Sequence, residues 1–131
     1  MNEGLYMAFV MIALHWWADF VLQKDEWAKN KNKSKSWTAL LKHTGTYSLV
    51  WLMWTLGWIS YQHQVHGDAN LALLWLGPIT FVAHTITDAI TSRITSRLYS
   101  EGRVHDFFVM VGFDQVLHYA QLFLTYAILT R

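Results

Sequence analysis

Histidine and aspartate recur at fixed spacing inside apolar stretches, where ionisable side chains are costly to keep. His15 and Asp19 stand four residues apart in LHWWADF, and His84 and Asp88 four apart in AHTITDA. Asp114 and His118 repeat the interval in reverse order in FDQVLH, and His43 stands alone in LLKHTGT. On a helix, residues at i and i+4 lie on one face about one turn apart. Each pair can therefore aim two metal-type ligands, or an acid–base couple, at one place.

The surrounding segments read as membrane spans. Residues 4–22, 37–60, 70–91 and 107–129 are each long enough to cross a hydrocarbon core of roughly 30 Å as a helix. No basic region precedes the first run and no small-residue cleavage site follows it, so it fits a span better than a signal peptide. Pro78 falls inside the third segment and predicts a kink there. Residues 61–69 read as a short polar turn in which His63 and His66 are solvated. Residues 92–106 read as an amphipathic interfacial helix broken at Gly102, with Ile94, Leu98 and Tyr99 toward lipid and Arg93, Arg97 and Arg103 toward headgroups. Composition agrees: 53% of residues are hydrophobic, 15% are charged, and eight Trp and six Tyr suit bilayer interfaces. Mean hydropathy is only +0.18 because the polar residues are bunched. The expected fold is all-α, a single domain over 1–131 built as a bundle of four transmembrane helices; a soluble helical bundle is the rival.

Lys24, Lys29, Lys31, Lys33 and Lys35 fill the first connection, and the arginines of 92–106 the third; only Arg131 lies on the other side. The positive-inside rule then makes both connections cytoplasmic and both termini outward, in the periplasm if the membrane is a bacterial inner membrane. Trp27 would sit at the interface. His15/Asp19 and His84/Asp88 come late in inward-running helices; His43 and Asp114/His118 come early in outward-running ones. All seven thus converge in the cytoplasmic half of the bilayer, on the order of 10 Å from its surface. The two halves form a weak repeat (His15, Asp19, His43 against His84, Asp88, His118), with Ala39 where the second half has Asp114.

Four His and three Asp suit a borderline divalent cation such as zinc, manganese or iron, and they exceed what one ion needs. One or two ions fit; two bridged by a carboxylate would make a hydrolytic site. The metal ligands expected are His15, Asp19, His43, His84, Asp88, Asp114 and His118, with Asp19, Asp88 or Asp114 as the base. Gln23, Lys42, Arg93 and Gln115 are candidates for supporting the ligands or holding a headgroup, as are Lys24 and Arg97, though basic residues here also serve topology. Without cysteine there is neither a disulfide framework nor a thiolate site. A net charge of +1 gives no argument for nucleic acid. A homodimer suits so small a bundle, but no small-xxx-small motif argues for it.

The strings HWWADFVLQ, LLKHTGTY, HTITDAI and FDQVLH resemble the signatures of a family of small uncharacterised membrane proteins in bacteria and their phages. Those signatures are H-x3-D-F-x2-Q, a lone His in the next span, H-x3-D and D-Q-x-L-H, in this order. The resemblance covers nearly the whole chain, implies a four-helix membrane protein and marks the same seven positions; it implies no activity. The chain departs from the pattern at Ala89, where a bulkier residue is expected. More loosely, it is similar to bacterial inner-membrane proteins labelled metal-dependent hydrolases. The leading expectation is therefore a metal-dependent membrane hydrolase acting on a lipid-linked or phosphoester substrate at the cytoplasmic leaflet. Its rivals are a proton or divalent-cation transporter or channel, and a non-enzymatic phage or host membrane effector whose His/Asp network is structural.

Overall fold

A computed structural model describes residues 3–30 and 37–131. The expected basic positions Lys31, Lys33 and Lys35 lie outside the described residues. Helix α1 (Glu3–Trp16) runs on into a π-helical turn over Trp17–Val21. Helix α2 (Asp25–Asn30) is a short surface piece with Asp25 and Glu26 in its first turn and Lys29 in its last, the order that complements the helix dipole. Helices α3 (Thr38–His66), α4 (Leu76–Ser100) and α5 (Val104–Leu129) complete the chain. A 3-10 stretch over Leu71–Trp75 leads into α4.

The connections follow from local chemistry. Gly67 ends α3 in the left-handed conformation (φ 80°), donating its N–H to His63 O. Asn70 then accepts from Ala72 N and donates from Nδ2 to Leu129 O at 2.7 Å, which ties this turn to the end of α5. Gly102 (φ 71°) makes the turn from α4 to α5. There Arg97 donates to Glu101 and, with Arg103 beside it, holds that carboxyl below the ordinary range.

Three expectations are corrected. Residues 61–66 are helical rather than a turn, because no breaker precedes Gly67. Pro78 is the third residue of α4, where its missing N–H would have had no partner in the helix anyway, so it starts the helix rather than kinking it. Residues 92–106 form no separate interfacial helix. Nothing between Pro78 and Gly102 interrupts the helix, so 92–100 simply continue α4.

Helix α1 packs against α3 and α5, and α4 against the same two, so the four long helices form a ring. Gly77 faces α3, where a Cβ would stand 3.4 Å from Leu52 Cβ, in van der Waals contact. Polar groups share the interior with an apolar core of Met11, Tyr47, Trp51, Leu76 and Leu122, and large apolar side chains cover the outside. Among the described residues the interior holds His15, Asp19, His43, His84, Asp88 and His118, while Phe9, Met53, Val82, Ile86, Val109 and Leu124 face outward. Gly4–Val21, Leu71–Ser100 and Val104–Leu129 are long and apolar enough to cross a membrane. Helix α3 has the length at 29 residues but does not reach that hydropathy; Lys42, His43, Gln62 and His63 dilute it.

Candidate metal centre

Every long helix delivers ligands to one level of the ring. Asp19 comes from the π-helical turn, His43 from α3, His84 and Asp88 from α4, Asp114 and His118 from α5. Spacing alone does not pair these groups: His15 Nε2 to Asp19 Oδ2 and His84 Nε2 to Asp88 Oδ2 are both 3.8 Å, too long for a hydrogen bond. Asp19 turns instead to α3 and α4. Its Oδ1 lies 3.0 Å from His43 Nε2 and 3.4 Å from His84 Nε2.

Asp88 sits at the centre and turns one oxygen to each side. Its Oδ2 is 3.3 Å from His43 Nε2 and its Oδ1 is 3.2 Å from His118 Nε2. His118 Nε2 is in turn 3.3 Å from Asp114 Oδ2. Two groups emerge in which the ligand atoms lie within 4.8 Å of one another: Asp19–His43–His84 and His84–Asp88–His118. All five of these residues are buried, and they could hold a metal ion.

The donor set fits a cation better than a hydrogen-bond network. His43 Nε2 and His84 Nε2 are 3.2 Å apart, so at most one can carry a proton toward the other. Asp19 Oδ1 stands between them, buried, yet accepts no hydrogen bond of good geometry. Lone pairs facing lone pairs are expensive in a low-dielectric interior. A divalent ion could be held by the same donors.

The other two sequence candidates border these groups. Asp114 is the most open of the carboxylates (side chain 14% exposed) and accepts from Thr91 Oγ1 at 2.6 Å. His15 has both ring nitrogens engaged. Gln115 must present its Nε2 to the carboxylates of Asp19 and Asp114, at 3.3 and 3.1 Å, which turns Oε1 toward His15 Nε2 at 2.7 Å. A carbonyl oxygen only accepts, so His15 carries its proton on Nε2, and its Nδ1 accepts from the Tyr47 hydroxyl at 2.7 Å. His15 thus braces Gln115, and Gln115 braces two carboxylates.

Of the remaining candidates, Gln23 and Gln115 line a cavity of about 570 Å³ whose floor includes Asp19 and Asp114. Lys42 and Arg93 are exposed and do not line it; Arg93 lies over the Trp37 ring at 5.7 Å. His63 and His66 are exposed near the end of α3. Residues missed from sequence include Tyr47, whose ring stacks on His84 at 4.0 Å, and Thr91. Both were findable, since Tyr47 lies four residues after His43 and Thr91 three after Asp88. Polar groups continue beyond the cluster. Gln121 donates to Thr80 and Thr125, one turn farther along the bundle.

A family model described as "Protein of unknown function (DUF3307)" matches residues 7–131. No curated protein and no solved structure matches the chain.

Proposed function

Starting from the premise that this chain belongs to the DUF3307 family of proteins of unknown function, we propose that it is a four-span membrane hydrolase carrying two divalent metal ions. Its substrate is a phosphoester or lipid-linked group at the cytoplasmic leaflet. The observation that carries this reading is Asp88, whose two oxygens face different histidines at 3.3 and 3.2 Å beneath an accessible cavity. Asp19, His43 and Asp88 would hold one ion and Asp88 and His118 the other, with His84 available to either and Asp114 left off the metal as the base. Zinc, manganese and iron all suit imidazole and carboxylate donors. When bound, the pair would supply Lewis acidity and lower the pKa of water.

The chain's own residues do the rest. Asp114 borders the cavity and accepts the proton released when water attacks the ester. Thr91 and Gln115 fix its carboxylate through hydrogen bonds of 2.6 and 3.1 Å, so it meets the proton in one orientation. His15 and Tyr47 lock Gln115 in turn. The membrane setting is supported by the apolar exterior and the three apolar helices, with α3 as the fourth span.

The test is turnover by metal-loaded protein on phosphate monoesters, phosphate diesters and phospholipids, beside Asp114→Asn. Hydrolysis that falls about 100-fold in the variant while its metal content holds supports the reading. Metal-loaded protein that turns over none of these classes contradicts it. A cation or proton transporter is the second reading, favoured by the Thr80–Gln121–Thr125 cluster next to the site. Opposing it, Leu73 and Leu76 are fully buried beyond that cluster. Proteoliposome flux distinguishes the two.

A further inference from the structure

The cavity above the carboxylates has a two-sided lining that metal chemistry alone does not explain. Its volume of about 570 Å³ lies within the range of small-molecule sites. One wall is a hydroxyl stripe on α4, where Ser92, Thr95 and Ser96 follow Asp88 at about one-turn spacings. Gln23 and Lys29 add an amide and an ammonium from the other side, and Phe20 and Phe107 form an apolar wall. Phe20 is 48% exposed on the outside of the bundle, so this wall runs out to the apolar exterior.

Two polar groups in the lining lack partners. Ser92 is only 6% exposed, yet its Oγ makes no hydrogen bond. Helix hydroxyls ordinarily bond a carbonyl one turn back, as Thr95 does to Ser92 O and Ser100 to Arg97 O. Gln23 Oε1 is likewise buried and accepts nothing. A ligand completing both must offer an acceptor to Ser92 and a donor to Gln23. Charge narrows the class further. Two divalent ions against Asp19, Asp88 and Asp114 leave the loaded centre one positive charge in excess, and Lys29 adds another at the rim. Among the described residues no acidic side chain lines the cavity apart from Asp19 and Asp114.

We propose that this cavity seats the phosphorylated, hydroxyl-bearing headgroup of an amphiphile. Ser92 Oγ and Lys29 Nζ contact phosphoryl oxygens, Gln23 Oε1 accepts from the headgroup hydroxyl, and the apolar chain leaves along Phe20 and Phe107. The proposal rests on the hydrolase reading for the charge of the loaded centre and names that centre's substrate class.

The test is calorimetric binding to the full-length, metal-loaded protein in detergent. The probes are short-chain phosphatidylglycerol, glycerol phosphate and a diacylglycerol with the same chains. Phosphatidylglycerol should bind at least tenfold more tightly than glycerol phosphate, and diacylglycerol should not bind measurably. Ser92→Leu and the exposed-site variant Lys29→Gln should each weaken binding about fivefold or more with metal content unchanged. Equal affinity for glycerol phosphate would make a free phosphate ester the occupant and overturn the amphiphile. Equal affinity for diacylglycerol, or wild-type binding by both variants, would overturn the phosphoryl site. Metal-loaded protein that binds the phospholipid through Ser92 but hydrolyses no phosphoester upholds this proposal and defeats the hydrolase reading. Metal-loaded protein that hydrolyses other phosphoesters but ignores phosphatidylglycerol does the reverse.

Discussion

The ring of helices buries polar groups at two adjacent levels, and the two levels are satisfied differently. At the far level Gln121 spends its amide protons on Thr80 and Thr125, and Thr55 donates to Leu52 O at 2.8 Å. Among the described residues the groups of α3 left without a partner on that side, Ser48 Oγ, Trp51 Nε1 and Trp58 Nε1, can all donate, and Met11, Trp51, Leu76 and Leu122 pack around them. At the cavity level acceptors outnumber donors: the carboxylates of Asp19, Asp88 and Asp114 meet histidines whose Nε2 atoms also face one another. Buried polarity alone is therefore not the signature of a site. An excess of convergent acceptors is, because only a cation or extra protons can relieve it.

If that contrast is right, substitutions at the two levels must separate metal binding from stability. The largest effect belongs to Asp88→Asn, which takes away the one carboxylate facing both sides; bound metal measured by elemental analysis should drop more than tenfold. Leu122→Ala, at the far level, should destabilise the protein by about 3 kcal/mol in denaturant unfolding while leaving metal stoichiometry intact. An equal loss of metal there would mean the levels are not separable. Gln115→Leu frees two carboxylates and the His15 ring from their brace. Metal affinity by competitive chelator titration should fall about 10- to 100-fold, the usual cost of losing such support. The smallest change is expected from Gln121→Leu, which should cost only about 0.6–1.7 kcal/mol, as interhelical hydrogen bonds in membranes do. Unfolding midpoints in mixed detergent micelles would measure it, and a larger loss would show that the far level is itself a tuned site.

Much of this arrangement was legible in the residues. The i, i+4 spacing of His15/Asp19, His84/Asp88 and Asp114/His118 places them on helix faces, and alternating helix direction brings all of them to one level. What spacing could not supply was the division of labour. His15 looks like Asp19's partner in sequence, as His84 looks like Asp88's, but both pairs stand 3.8 Å apart. Groups on other helices compete for the same atoms, and His15 bonds Tyr47 and Gln115 instead. The extent of α4 was misread for a different reason. Arg93 and Arg97 suggest an interface, but charge does not end a helix, and the first residue able to do so is Gly102. The hydroxyl stripe of Ser92, Thr95 and Ser96 was hidden in that same misreading, since an interfacial helix would have turned it away from the bundle.

Asp88 faces histidines on both sides, and the proposed centre would hold a cation on each. Elemental analysis of the purified, reloaded protein beside His43→Ala and His118→Ala tests it most directly. The account predicts about two equivalents of a transition metal per wild-type chain and about one in each variant. Wild-type protein that retains no metal after incubation with zinc, manganese and iron would contradict it, and the seven residues would then have to be explained as a proton relay or as interhelical hydrogen bonding.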